Sequence, residues 1–398
     1  MIRIPIEEFA ARVEKLRVLM KERYLHACLI YGDEYRKENL RYMSNYWPLF
    51  ERGAVIVPLT GEPIIVAAPE GEMFCREMSA WPDVRLLPEF ACVTVPDKIE
   101  YPMAHYTSLT AIREKLQEHG PLQRIGIVGI DAIPTPLMNS IEQGFAGIEL
   151  IDASDLLFKL RMTKSPNEVR CLQEAARIAD AGYKLMINQV KPGMTELELA
   201  SLAYGECIKQ GAEIMPFCLL TSGERVNTII GRPSGKVIAD GDMIMAAIAV
   251  QVEGYVATLN FPFVAGRISD EQKKFIDILV EAEDIALSRI KAGAKQCEVV
   301  RAVKAYFKEK DMTEYDLYPP LHGCGLAEAE SPYPDEQSEA LFVAGMTVNT
   351  DVSLFGHPYG SNRIEESLLV TETGYESMSK LVRQLSKTWK ETATITVI

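Results

Sequence analysis

The chain has 398 residues, 47% of them apolar and 25% charged, the make-up of a globular protein long enough for two domains. Its 56 acidic residues outnumber its 42 basic ones, giving a formal net charge of −14. That balance opposes binding to nucleic acid or to an anionic membrane, both of which call for basic patches. The cysteines, Cys28, Cys75, Cys92, Cys171, Cys207, Cys218, Cys297 and Cys324, include no CxxC pair and sit mostly in apolar or helical patterns. They point to reduced residues of a cytoplasmic protein rather than to a disulfide framework or a zinc site. No charged-then-apolar leader opens the sequence, and no apolar run approaches the ~18 residues of a membrane span.

In chain order, residues 1–160 alternate helix and strand signals, which predicts an α/β domain. Phe9, Val13, Leu16, Leu19 and Met20 recur at helical spacing, and 26–31 is a short apolar strand. Residues 53–59 and 62–68 flank Thr60-Gly61 and predict a hairpin. A helix is expected over 69–78, and strands over 124–129 and 148–152. Gly126 and Gly129 lack the GxGxxG spacing, so no dinucleotide cofactor is expected. The stretch 155–164 is expected to be a hinge, and 161–398 to form a second domain.

Ser165-Pro166-Asn167-Glu168 is a sharp helix start, with Ser at the N-cap, Pro at the first position and Glu reaching back. Thr195-Glu-Leu-Glu198 and Ser269-Asp-Glu-Gln272 follow the same logic, and a fourth helix is expected over 296–310. Between them, 241–266 is rich in Val, Ile, Tyr and Phe with a Glu253-Gly254 turn, a β-hairpin signal. The second domain is therefore α+β, helices packed on a sheet rich in antiparallel pairs. Its final third carries His322-Gly323-Cys324-Gly325-Leu326, then the strand start Gly345-Met346-Thr347-Val348, then Arg363-Ile364-Glu365. This order can bring one His and several carboxylates from separate strands into one cleft.

These motifs, in this order, resemble those of the creatinase/Xaa-Pro aminopeptidase family, the pita-bread fold that also includes prolidase and methionine aminopeptidase. The resemblance covers nearly the whole chain and implies a creatinase-type N-terminal domain, a pita-bread C-terminal domain and a homodimer. It does not choose among activities, since the family holds both metallopeptidases and metal-free hydrolases. Its metallopeptidases hold two metals with Asp, Asp, His, Glu and Glu. By the resemblance those ligands fall here on Ala247, Thr258, His322, Asp351 and Glu365. A further catalytic His falls on Ala329, and the His that precedes the hairpin falls near Ile230. The metal-free branch departs as well, because its catalytic His falls on Ile230 and its substrate-binding Glu on Asn260. Phe50-Glu51-Arg52 resembles the Phe-x-Arg that holds a substrate carboxylate across the creatinase dimer.

A metal pair needs carboxylates to offset about four positive charges, and Ala and Thr supply none. No metal is therefore expected, although a single ion on His322, Asp351 and Glu365 stays open. Without metal, two close carboxylates cannot both ionise cheaply, so Asp351 and Glu365 form an acid–base pair beside His322. Arg363 shares the face of Glu365 under period two and either binds a substrate carboxylate or pairs with Asp351. Thr258, Asn260 and His357 are further candidates to line the cleft. Cys218 and Cys324 are expected to be inert, and His26, His105 and His119 carry no motif.

The function expected first is metal-independent, creatinase-like hydrolysis of a C–N bond in a small carboxylate-bearing nitrogen compound, with no cofactor. An amidine, a guanidino compound and a cyclic imino acid all suit that description. Xaa-Pro peptidase chemistry with one metal comes second, and a non-catalytic binding protein third.

Overall fold

A computed structural model describes residues 2–92, 106–358 and 360–395. The chain divides into two compact units, Pro5–Arg161 and the part that begins at Met162 and takes in the first four residues. His105 lies outside the described residues.

The first unit is built on six strands: β1 (Ala27–Asp33), β2 (Arg52–Pro58), β3 (Ile64–Ala67), β4 (Val84–Leu86), β5 (Arg124–Val128) and β6 (Glu149–Asp152). They form one mixed sheet in the order β4-β3-β2-β1-β5-β6. The β2/β3 hairpin is antiparallel, as its Thr60-Gly61 turn requires, and β5 runs parallel to β1. Leu29, Ile56, Val66 and Ile127 on the sheet pack with Ile112, Leu116, Leu137 and Ile141 from two helices. That is the two-layer burial expected of an α/β domain. Gly126 serves packing here: a Cβ would stand 2.7 Å from that of Ala153. The division between the units falls inside the stretch expected as a hinge, 155–164, most of which is helical as part of Ser154–Met162. Asp152 Oδ1 accepts from the Ser154 amide at 2.9 Å, and Leu156 and Leu157 are buried, so cap and core together start a helix.

The second unit carries β7 (Ile214–Ser222), β8 (Met243–Val252), β9 (Tyr255–Asn260), β10 (Phe263–Val264), β11 (Leu321–Gly323), β12 (Thr347–Leu354), β13 (Asn362–Val370) and β14 (Tyr375–Ser377). The path β10-β8-β9-β13-β12-β11 is antiparallel throughout, with β7 beside β8 and β14 beside β13. Glu253-Gly254 turns β8 into β9, with Gly254 at φ +84°. Helices Pro166–Gln189, Glu196–Lys209 and Asp270–Leu287 open with complete capping boxes at Ser165, Thr195 and Ser269. The fourth is Gln296–Glu309. A fifth, Lys380–Thr392, was not among those expected, although Leu381, Leu385 and Trp389 bury one stripe at a spacing of four.

Register is what positions the site. Across β12 and β13, Asn349 faces Ser367, Asp351 faces Glu365 and Ser353 faces Arg363. His322 of β11 faces Asn349, and Asn260 of β9 faces Glu365. With period two, residues 349, 351, 353, 363, 365 and 367 share one face of the sheet. Thr350 and Glu366 take the other, where Thr350 Oγ1 donates to Glu283 on a helix at 2.7 Å.

Candidate active site

His322, Asp351, Arg363 and Glu365 all line one cleft of about 980 Å³ in the second unit. Its opposite wall is largely apolar, with Leu197, Tyr204, Phe217, Leu219 and Ile230. The acids are deeply set: Glu365 is 2% exposed and Asp351 5%. Between them lies the Arg363 guanidinium, with Nη1 3.2 Å from Asp351 Oδ2 and 3.7 Å from Glu365 Oε2. Nη2 of Arg363 donates to the carbonyl of Ile229 at 3.2 Å, and its planar group lies 5.5 Å over the Phe355 ring. Of the two roles expected for Arg363, the geometry selects pairing with Asp351, since both terminal nitrogens are engaged within the protein.

A residue absent from the expected set completes the site. Glu328 lines the cleft, its Oε1 3.6 Å from His322 Nε2. Asn349 Nδ2 donates to both Glu328 Oε1 and Glu365 Oε1, each at 3.4 Å. The available signal was an acid in Ala327-Glu328-Ala329-Glu330, next to the Ala that stands for a catalytic His. Ala329 does line the cleft. The loop bearing Glu328 is held by a buried ion pair, Lys164 Nζ to Glu330 Oε1 at 2.7 Å. His322 Nδ1 lies 2.9 Å from the Gly323 carbonyl, which can only accept, so Nδ1 donates there and Nε2 is turned toward Glu328.

Burial, reinforced by Asp351, pushes Glu365 well above the usual carboxyl range, while Arg363 opposes this. Glu365 is thus an acid that keeps its proton to unusually high pH, within hydrogen-bonding reach of Glu328. Cys218 lines the cleft, Cys324 is fully buried and not part of its lining, and burial pushes both thiols up to about 12. Neither supplies a thiolate at neutral pH.

Three expected cleft residues lie elsewhere. Asn260 is fully buried within the sheet, where Oδ1 accepts from the Ala246 amide at 2.9 Å and Nδ2 donates to Asn362 Oδ1 at 3.0 Å. Thr258, 2% exposed, has its amide on Ser367 Oγ at 3.3 Å and is not part of the cleft lining. Strand alternation gives both residues inward positions, but helix Pro166–Gln189 packs against β9, its Tyr183 hydroxyl 3.4 Å from Asn260 Oδ1. His357 stacks on Phe275 at 5.1 Å with its edge contact to Tyr315 at 4.9 Å, so aromatic packing holds it away from the cleft. Phe50 and Arg52 belong to the first unit, where Phe50 is exposed and Arg52 Nη1 donates to the Ala91 carbonyl at 2.9 Å.

An α/β unit followed by helices on an antiparallel sheet, with a His on the last strand of the sheet path and carboxylates on the two strands beside it, defines the two-domain pita-bread class. The Creatinase/Prolidase N-terminal domain profile matches residues 12–163, and that of Metallopeptidase family M24 matches residues 170–372. The chain belongs to Metallopeptidase family M24. A Xaa-Pro dipeptidase of Pyrococcus horikoshii is 26% identical over 302 residues, 75% of this chain and 86% of that protein. Among solved structures, a Xaa-Pro dipeptidase from Bacillus anthracis superposes with a TM-score of 0.79 at 24% identity, covering 94% of this chain and 98% of its own. An X-Pro aminopeptidase from Thermotoga maritima gives 0.80 at 22% identity, covering 93% and 97%.

The metal pair of the family does not fit these residues. Ala247 and Thr258 are buried without charge, and Arg363 already supplies a cation to Asp351 and Glu365. A single ion does fit. One donor atom each from His322, Glu328 and Glu365 lie within 4.8 Å of one another, and Glu365 Oε2 has no hydrogen-bond partner. One imidazole and two carboxylates form a three-ligand set of the open, catalytic kind.

Proposed function

We propose that this protein hydrolyses an amide-type C–N bond in a small substrate of the Xaa-Pro dipeptide class, within the His322–Glu328–Glu365 cleft. Peptide cleavage, ranked second from sequence, moves ahead of creatinase-like chemistry because the family match and the Xaa-Pro dipeptidase relative support it. The observation that carries the reading is the convergence of the His322, Glu328 and Glu365 donors at the floor of the cleft.

These three residues would hold one divalent ion, which when bound would polarise the scissile carbonyl and activate water. The Nδ1 contact to Gly323 fixes the His322 ring with Nε2 toward the site. Asn349 steadies Glu328 and Glu365 together. Arg363 neutralises Asp351, so the floor does not accumulate unbalanced negative charge. The apolar wall receives the body of the substrate and limits water around the bond.

A second reading is ion-free acid–base hydrolysis, favoured by the Arg363 guanidinium lying between Asp351 and Glu365. Glu328 would then take a proton from the attacking water as the C–O bond forms. Protonated Glu365 would give its proton to the departing nitrogen as the C–N bond breaks.

One experiment tests both. Cleavage of Xaa-Pro dipeptides is followed with manganese, cobalt or zinc, and again after exhaustive chelation with metal analysis of the same sample. Turnover that chelation removes supports the first reading, and turnover that persists without metal supports the second. No cleavage of any Xaa-Pro dipeptide across those metals and without them sinks both as peptidase readings.

A further inference from the structure

We propose that Arg232 is the anchor for the carboxylate of a small substrate with an apolar body. The proposal rests on reading the cleft as the substrate site and deepens it by naming the residue that recognises the acid group.

The first ground is the state of the cations. Two arginines line the cleft, Arg232 and Arg363. Arg363 is 6% exposed and gives its terminal nitrogens to Asp351 and the Ile229 carbonyl, so a ligand carboxylate would have to break a buried pair to reach it. Arg232 is exposed, and its guanidinium has no hydrogen-bond or ion-pair partner among the described residues. A planar fork with unused donors is suited to bidentate capture of a carboxylate.

The second ground is that the backbone beneath Arg232 is fixed. Glu196, fully buried, accepts from the amide and hydroxyl of Ser222 at 2.9 Å each, and from those of Ser234 at 3.0 and 2.8 Å. One carboxylate therefore closes both ends of the loop 222–234. Arg225 joins the same carboxylate and donates Nη2 to the Arg232 carbonyl at 3.0 Å. Within the loop, Ile229 has φ +62° and ψ −57°, and the Ile230 amide bonds the Thr228 carbonyl at 2.6 Å. This is the rare, strained γ-turn, unusual for a β-branched residue. It aims the Ile229 carbonyl at Arg363 while Ile230 and Arg232 continue along the cleft. Backbone strain of this sort persists only where surrounding contacts over-determine it.

The third ground is complementarity. Tyr204, where the Arg232 charge works against burial on the phenol, Phe217 and Pro233 line the same cleft. Glu328 and Glu365 line it as well. A ligand with its carboxylate at Arg232 and its apolar body against Tyr204, Phe217 and Pro233 presents its C–N bond to those two acids.

The test is calorimetric titration of N-acetyl-L-proline and its primary amide into wild type, R232Q and R232K at fixed pH and salt. Wild type is expected to bind the acid about tenfold tighter than the amide, as a charge-assisted pair implies. R232Q should bring the two within about twofold, and R232K should keep part of the preference, having charge without the fork. Equal binding of acid and amide by wild type, binding of neither, or an acid preference that survives in R232Q overturns the proposal. Dipeptide turnover is measured separately. An acid preference lost in R232Q with no turnover in wild type leaves Arg232 standing and removes the peptidase reading. Turnover with KM unmoved in R232Q does the reverse.

Discussion

Asp351 on β12 stands directly opposite Glu365 on β13, and the guanidinium of Arg363 is inserted between the two carboxyl groups. Cross-strand acids in register repel one another. An arginine two residues from Glu365 along the same strand is placed by period two to relieve that repulsion. The pair is thus balanced by a side chain of the protein itself.

Removing that balance is the first test. Arg363→Leu leaves two buried carboxyl groups without their cation and should cost about 3–5 kcal/mol of stability. Urea denaturation of the second unit would measure it. Arg363→Lys should recover part of the loss. A variant as stable as wild type would show that Arg363 is not the counter-charge of this site.

Hydrolysis should depend on Glu365 and Glu328 together. Glu365→Gln is expected to lower kcat/KM by about 100-fold or more, the ordinary contribution of a proton-transferring group or a metal ligand. Glu328→Gln and His322→Ala should each also weaken binding of a divalent ion, measured by titration with manganese or zinc. If these variants bind the ion as wild type does, Glu328 is not a ligand.

On the opposite face of β13, Glu283 is fully buried beside Glu366, Arg383 and Thr350, with Asp180 also facing Glu366. Burial pushes Glu283 up to about 8, and Arg383 works against this. The folded state therefore holds a proton that the unfolded chain releases near pH 4.5. The associated stability is full below that pH and is lost as pH rises through about 8. Melting temperature should fall by at least about 2 °C between pH 5 and 9, and Glu283→Gln should flatten much of that slope. Glu366, raised in the same direction, would retain the remainder. An unchanged slope in Glu283→Gln would assign the dependence to other groups.

Glu196 offers a test of loop anchoring. Glu196→Ala removes the shared acceptor of Ser222, Ser234 and Arg225, and buried donors left unpaired should cost about 3 kcal/mol or more. Hydrogen exchange of residues 222–234 should speed up while that of β12 and β13 is preserved. Equal exchange in the loop would show that it is held by other contacts.

Much of the fold was legible because its signals are short-ranged. The boxes at Ser165, Thr195 and Ser269, the Thr60-Gly61 and Glu253-Gly254 turns and the alternation in β8 and β9 depend on neighbours a few residues away. The helix over Ser154–Met162 was read as a hinge because its cap sits on Asp152 and its buried face is short. At the site, His322, Asp351, Arg363 and Glu365 were legible from motif order and strand period. Glu328 was not, because it reaches the cleft from a loop held by the distant Lys164–Glu330 pair. Asn260 and Thr258 share the expected inward alternation, yet helix Pro166–Gln189 packs against their strand, and periodicity cannot report what lies above a face.

By itself, then, the sequence determined the alternation of elements behind the two-domain architecture, which follows from local pattern, while the pita-bread class and the discharged positions Ala247 and Thr258 came from the family resemblance its motifs carry. Only the tertiary structure decided that Arg363 is spent inside the protein, that Glu328 joins His322 and Glu365, and that Arg232 is left open at the cleft. Each of those depends on strand register and loop anchoring between residues far apart in the chain, which no local spacing encodes.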